Sequence, residues 1–210
     1  MKRKKMNILA IGSHPDDIEF GCGGTLHKLA KSGHRIYLHI LTRGNAGGDT
    51  KVRHKEQMAA AASLCATEVF WGNYTDTKLP FYDNVIEEID KVVKKTAPSF
   101  VFVHNGKDTH QDHRYVSECA VVATRNVPNV LFFEGPTTIN FTPTVFVDIG
   151  GHINQKFKTL SCHKSQVMRT NISGQSILDI AKATATFRGT QCRVPYAEGF
   201  ASLRLFVLSE

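Results

Sequence analysis

Cysteine is scarce and unpatterned: five residues in 210, at positions 22, 65, 119, 162 and 192, with no C-x-x-C spacing. An odd count cannot pair completely, so the simplest account is a reducing compartment with mostly buried thiols and cysteine outside the chemistry. No stretch approaches the roughly 20 apolar residues that a membrane span needs. The basic start Met1-Lys2-Arg3-Lys4-Lys5 runs into a strand-like segment without a signal-peptide core. A cytoplasmic protein with no membrane span is the expectation. Acidic residues are outnumbered, 19 against 26 basic, for a net charge of +7. The excess sits in the first five residues and on helix faces such as Lys91, Lys94 and Lys95, with no basic stripe interleaved with aromatics, so nucleic acid is not expected as a partner. Repeats, low-complexity tracts and linkers are absent, which leaves residues 1–210 as a single domain.

What is present is alternation. Asn7 to Gly12 reads as a nearly continuous apolar strand, and Thr25 to Ser32 as a helix stopped by Gly33. The pattern then repeats. Arg35–Thr42, Glu68–Trp71, Phe100–Val103, Val130–Phe133 and Val145–Ile149 read as strands; Lys51–Cys65, Val85–Thr96 and His113–Arg125 read as helices. Beyond Gly151 the spacing predicts helical stretches over Ile153–Ser165 and Gln175–Thr186 and a last strand over Leu203–Leu208. Parallel neighbours need crossover connections, and helices supply them, so the fold class is α/β: a three-layer Rossmann-like sandwich, mostly parallel sheet with helices on both faces.

Two dense clusters of ligating residues follow strands. Ser13-His14-Pro15-Asp16-Asp17 comes after the first strand, and His110-Gln111-Asp112-His113 comes after Phe100–Val103. Loops after strand carboxyl ends share one edge of such a sheet, so the two clusters can meet in space. Two imidazoles with one carboxylate suit a catalytic zinc ion that keeps a position open for water, and zinc hydrolysis needs a further carboxylate to take a proton. The glycines Gly21, Gly23 and Gly24 fit neither a Walker loop nor G-x-G-x-x-G; tight turning and close helix packing explain them better. His27, His34, His39, His54, His104, His152 and His163 lie outside any ligand-spaced cluster and read as structural.

The stretch Ser13-His14-Pro15-Asp16-Asp17-Ile18-Glu19 with Gly23-Gly24-Thr25, then His110-Gln111-Asp112-His113, resembles the PIG-L/LmbE-like family of zinc-dependent N-deacetylases. Supporting likeness runs through Arg53-x-x-Glu56 with Ala59 to Ala62, then His163-Lys164-Ser165-Gln166 and Tyr196-Ala197-Glu198. The resemblance implies His14, Asp17 and His113 as zinc ligands and Asp16 as the base that activates water. It implies His110 as oxyanion stabiliser or proton donor, Asp112 as the carboxylate orienting His110, and Arg53 as a substrate contact. It further implies a small N-acetylated substrate, an amino sugar or its conjugate, and a homo-oligomer, trimer or hexamer. Two rivals stay open: a 2-His-1-carboxylate Fe2+ enzyme on the same ligands, and a non-catalytic sugar- or nucleotide-binding module, for which Asp16 would have no use.

Overall fold

The computed structural model describes residues 5–206. Seven strands form one sheet in the order β3-β2-β1-β4-β5-β7-β6: β1 (Asn7–Gly12), β2 (Arg35–Thr42), β3 (Glu68–Tyr74), β4 (Phe100–His104), β5 (Asn129–Phe133), β6 (Val145–Asp148) and β7 (Ala197–Arg204). The first five pair in parallel, and β7 runs antiparallel to both of its neighbours. Strand order reverses at β1, between β2 and β4, and a crevice opens there at the strand carboxyl ends.

Side chains on β1 alternate between two buried layers. Ile8 and Ala10 join Ile18 and Leu26 of α1 (Asp17–Lys31), Ala61 of α2 (Thr50–Ser63) and Leu64, the residue that caps α2. Leu9 and Ile11 join Val85, Ile89, Val116 and Ala120 of α3 (Tyr82–Thr96) and α4 (Gln111–Ala123). Burial on both faces is why β1 reads as a continuous apolar run rather than an alternating one. The expected three-layer, mostly parallel α/β sandwich is what forms, and among the described residues no helix is long and apolar enough to cross a membrane.

Several expected boundaries move. The first helix begins at Asp17, not Thr25, so the glycine run lies inside it, with a break from helical geometry at Cys22 (φ −146°). Glycine disfavours a helix interior by about 1 kcal/mol, which conceals the true start from a propensity reading. Packing explains two of these glycines. A methyl group on Gly21 would enter the Phe133 ring, and one on Gly24 would lie 2.9 Å from Ile149 Cγ1's terminal methyl, Cδ1, whereas Gly23 has 3.9 Å of clearance. Gly21→Ala is therefore expected to destabilise the protein by about 1–3 kcal/mol through overpacking, while Gly23→Ala is neutral or stabilising by up to ~1 kcal/mol. Urea titration of the two variants side by side checks this contrast.

The C-terminal third departs further. α5 covers only Ile153–Leu160 before the chain turns, and α6 covers Ile177–Cys192, fixed at its start by a Ser176–Asp179 capping box. The last strand is Ala197–Arg204, not Leu203–Leu208: residues 205 and 206 continue without regular structure, and 207 and 208 lie outside the described residues. The apolar run at the end of the sequence drew the expectation, whereas the pairing is made by the stretch between β5 and β6 that contains the weak strand formers Glu198 and Gly199.

Candidate active site

β1 ends at Gly12, and the next four residues carry His14 and Asp16 into the crevice. Asp16 takes a left-handed conformation (φ 92°, ψ −23°) at the mouth of α1, which costs a non-glycine residue on the order of 1–3 kcal/mol and persists only where the surroundings impose it. Helix α2 imposes it. Arg53 Nη2 donates to the Pro15 carbonyl (2.7 Å), and the Asp16 N–H donates to Gln57 Oε1 (3.3 Å). Gln57 is held in turn by its own donation to Glu19 Oε1 (2.7 Å), and His163 Nε2 lies 3.4 Å from Glu19 Oε2. Arg53 Nη1 also donates to the Gly44 carbonyl (2.8 Å), so this guanidinium clamps two loops at the cavity edge. Arg53, expected to contact substrate, also lines the cavity, with its Nη2 3.5 Å from Asp16 Oδ2.

Asp17 is the hub. Its Oδ2 accepts the His14 N–H (2.7 Å) and lies 3.3 Å from His14 Nδ1 and 3.1 Å from His104 Nε2, while Oδ1 faces His113 Nε2 at 3.4 Å. Burial works against ionisation, yet His113, His104 and His14 together hold this carboxyl well below its ordinary range. The outer nitrogens of the two candidate ligands also meet carboxylates. His14 Nε2 lies 3.1 Å from both Asp76 Oδ1 and Asp112 Oδ2, and His113 Nδ1 lies 3.2 Å from Asp108 Oδ2. Against the cost of burial, the charge of Asp17 first and then these outer carboxylates raise His14 well above an ordinary histidine and His113 to about 9. Half-buried Asp16, by contrast, is pushed up to about 6 by desolvation, which outweighs the nearby Arg53 and His163.

The structure gathers all six predicted chemistry-bearing residues, with one change of contact. Asp112 was expected to orient His110; its carboxylate instead accepts from His14 Nε2 and from the Thr77 N–H (2.8 Å), and only its backbone N–H reaches His110 Nδ1 (3.2 Å). The short spacing forces this, because His110 is the N-cap of α4 and its side chain folds back onto the first turn. Accepting at Nδ1 leaves the neutral imidazole's proton on Nε2. Burial, with His14 and His113 nearby, lowers the His110 pKa and keeps that neutral form.

Two residues of the site escaped the sequence reading. His104, set aside as structural, ends β4 and stacks on His113 at 3.9 Å; it was discoverable by extending that strand one residue toward the crevice. Asp108 completes an Asp-x-His-x-Asp-His string that was read only from its first histidine. Asp76 joins them from a loop shaped by tertiary contacts: its N–H donates to Asn45 Oδ1 (2.9 Å) and its Oδ2 accepts the Ala46 N–H (3.1 Å).

Donor atoms close enough to share an ion form three overlapping sets: His14–His110–His113, Asp17–His104–His113 and His14–Asp76–Asp112. They border a cavity of about 870 Å³ that runs from the histidines to the segment around Arg169, Ile172 and Ile180. Both ring nitrogens of His113 are buried without a well-formed hydrogen bond among the described residues, Nε2 facing Asp17 and Nδ1 facing Asp108. An imidazole nitrogen stranded beside an ionised carboxylate is what a divalent cation would satisfy, so the donor set fits a metal.

Comparison with known proteins agrees. Residues 9–124 match the family model described as "PIG-L: GlcNAc-PI de-N-acetylase". The chain is 36% identical over 171 residues to "Uncharacterized deacetylase YaiS" of Escherichia coli strain K12, covering 77% of this chain and 92% of that protein. It is 29% identical to "Diacetylchitobiose deacetylase" of Thermococcus kodakarensis, over 76% of this chain and 69% of that one. The N,N'-diacetylchitobiose deacetylase structure from Pyrococcus horikoshii superposes with a TM-score of 0.85 at 25% identity, covering 96% of this chain and 85% of that chain. With over half its length matched and a relative of this identity, the chain belongs to the PIG-L family of deacetylases.

Proposed function

We propose that this protein hydrolyses the N-acetyl amide of an amino sugar or amino-sugar conjugate, with a zinc ion held by His14, Asp17 and His113. The observation that carries this reading is the convergence of His14 Nδ1 and His113 Nε2 on the two oxygens of Asp17, with each outer nitrogen on a carboxylate. A carboxylate behind each ligating histidine is the usual second layer of a zinc site. His104 fits a ligand role less well, because its Nε2 accepts the Ser13 N–H (3.2 Å). When bound, zinc supplies a Lewis acid that polarises a carbonyl and brings the pKa of water to near ~7.

The protein's own groups divide the remaining work. Asp16, ionised at neutral pH and placed at the cavity by its forced backbone, takes the proton of the attacking water. The hydroxyl oxygen bonds to the acetyl carbon, and charge develops on the former carbonyl oxygen, where the Nε2–H of neutral His110 donates. Collapse breaks the C–N bond, and the proton held by Asp16 passes to the leaving amine, giving acetate and a free amino sugar. The cavity lies at the upper end of the ~300–1,000 Å³ range of small-molecule sites, which gives room for more than one sugar ring.

The test is acetate release by zinc-loaded protein from N-acetylglucosamine, diacetylchitobiose and alkyl N-acetylglucosaminides; no release from any of them removes the amino-sugar reading. The pH profile is a second check. A base works only when ionised, so kcat/KM falls as pH drops through the pKa of Asp16, which is about 6 in the metal-free site and lower beside a bound cation. An acid limb at or below pH 6 that vanishes in Asp16→Asn is the expected pattern, measured on residual activity.

A further inference from the structure

Asp108 is buried, at 3% exposure, and it approaches the reacting centre only through its neighbours. Its Oδ1 accepts the His110 N–H (2.8 Å) and its Oδ2 accepts the Thr138 hydroxyl (2.8 Å), while the same Oδ2 faces His113 Nδ1 at 3.2 Å. The surroundings hold it from outside as well. Arg114 Nη1 donates to the Asp108 carbonyl (2.7 Å), and Asp108 and Thr138 form a backbone bridge between the loop after β4 and the loop after β5. Thr138 is locked in turn: its Oγ1 accepts the Gly135 N–H (2.8 Å). The carboxylate therefore cannot swing away from the imidazole without breaking contacts in two loops.

We propose that Asp108 is the positioning residue that makes His113 a metal ligand. Facing Nδ1, a carboxylate keeps the proton on that nitrogen and leaves the Nε2 lone pair directed at Asp17, while its charge makes the imidazole a stronger donor. One side chain then sets two positions at once, since its other oxygen fixes the backbone of His110, the N-cap of α4. The inference rests on the zinc reading above.

The test replaces the acceptor by a donor of the same shape. In Asp108→Asn the amide oxygen can still accept from His110 N–H, and the amide nitrogen then meets His113 Nδ1. An N–H donor there favours the tautomer protonated on Nε2, the wrong one for a cation. Zinc affinity measured against a chromophoric chelator, on protein whose metal-free melting temperature is recorded in parallel, should weaken about 10–100-fold. Thr138→Val cuts the other contact of the same oxygen and leaves the carboxylate on His113, and its zinc affinity should stay within about threefold of the parent protein. Parent-like zinc affinity in Asp108→Asn overturns the inference and leaves the zinc reading intact. Equal weakening in both variants, in step with their melting temperatures, also overturns it, because Asp108 would then only tie the loops together. A parent protein that binds no zinc ends the zinc reading and this inference together.

Discussion

Asp16→Asn is expected to cut kcat by at least ~10²–10⁴-fold, the range that a positioned general base supplies, while making the metal-free protein more stable. Both effects come from one feature. Asp16 is half-buried just beyond β1, and desolvation pushes its carboxyl up to about 6, from an ordinary 3.8. A folded-state pKa above the unfolded value means that ionising this group costs stability, with no penalty below about pH 4 and the full penalty above about pH 6. Asparagine has the same shape and stays neutral, so its stability gain should emerge between those two values and reach on the order of 1–3 kcal/mol at pH 7. Zinc affinity should change little, because Asp16 lies outside the proposed ligand set. The measurements are kcat at saturating zinc, chelator-competition affinity, and urea midpoints at pH 4 and pH 7. Parent-like turnover removes Asp16 as the base. A loss of activity accompanied by loss of stability at pH 7 would instead mark it as a structural residue.

The same feature shows why some of the site was legible in the sequence and some was not. His14, Asp16 and Asp17 announce themselves because chemistry and topology coincide there: ligating side chains follow directly on a strand buried on both faces, whose continuous apolar run identifies it. His110, Asp112 and His113 stand on the same sheet edge, at the start of α4 and beyond the end of β4. What gives Asp16 its geometry was not legible. Arg53 and Gln57 reach it from α2, 37 and 41 residues further along the chain, and nothing local in that helix says that one side chain ties down two loops. Asp76 shows the same limit. Its loop contains a left-handed residue at Thr77 (φ 63°) that only tertiary contact explains, here the Thr77 N–H bonded to Asp112 and the Thr77 carbonyl accepting from Gln111. The misplaced start of α1 has a different cause. Gly21 and Gly24 are present because neighbouring side chains leave no room for a methyl group, a packing requirement that overrides local helix preference.

His14→Ala is the variant that separates the proposed ligand set from its neighbour. Two of the three donor sets contain His113, one with His14 and His110 and the other with Asp17 and His104, and the proposed set draws His14 from the first and Asp17 from the second. If the cation is held by His14, Asp17 and His113, zinc at a hundredfold excess over its Kd should stabilise the parent protein by about 2.7 kcal/mol. For a chain of this length that corresponds to a melting-temperature rise on the order of 5–10 °C. His14→Ala should abolish that rise, and His104→Ala should retain most of it. The metal-free His14→Ala protein should also be less stable than the parent. Asp76 and Asp112, both 3.1 Å from the lost imidazole, would be left without their shared partner in a buried site. Because the folded fit raises the His14 pKa above 6.5, its contribution is fully present below that pH and is lost as pH rises through the folded value. The stability deficit of His14→Ala should therefore shrink toward alkaline pH, while the missing response to zinc persists at every pH. A full zinc-induced rise in His14→Ala together with none in His104→Ala would transfer the ligand role to His104. The carboxylates around His14 would then form a purely structural cluster.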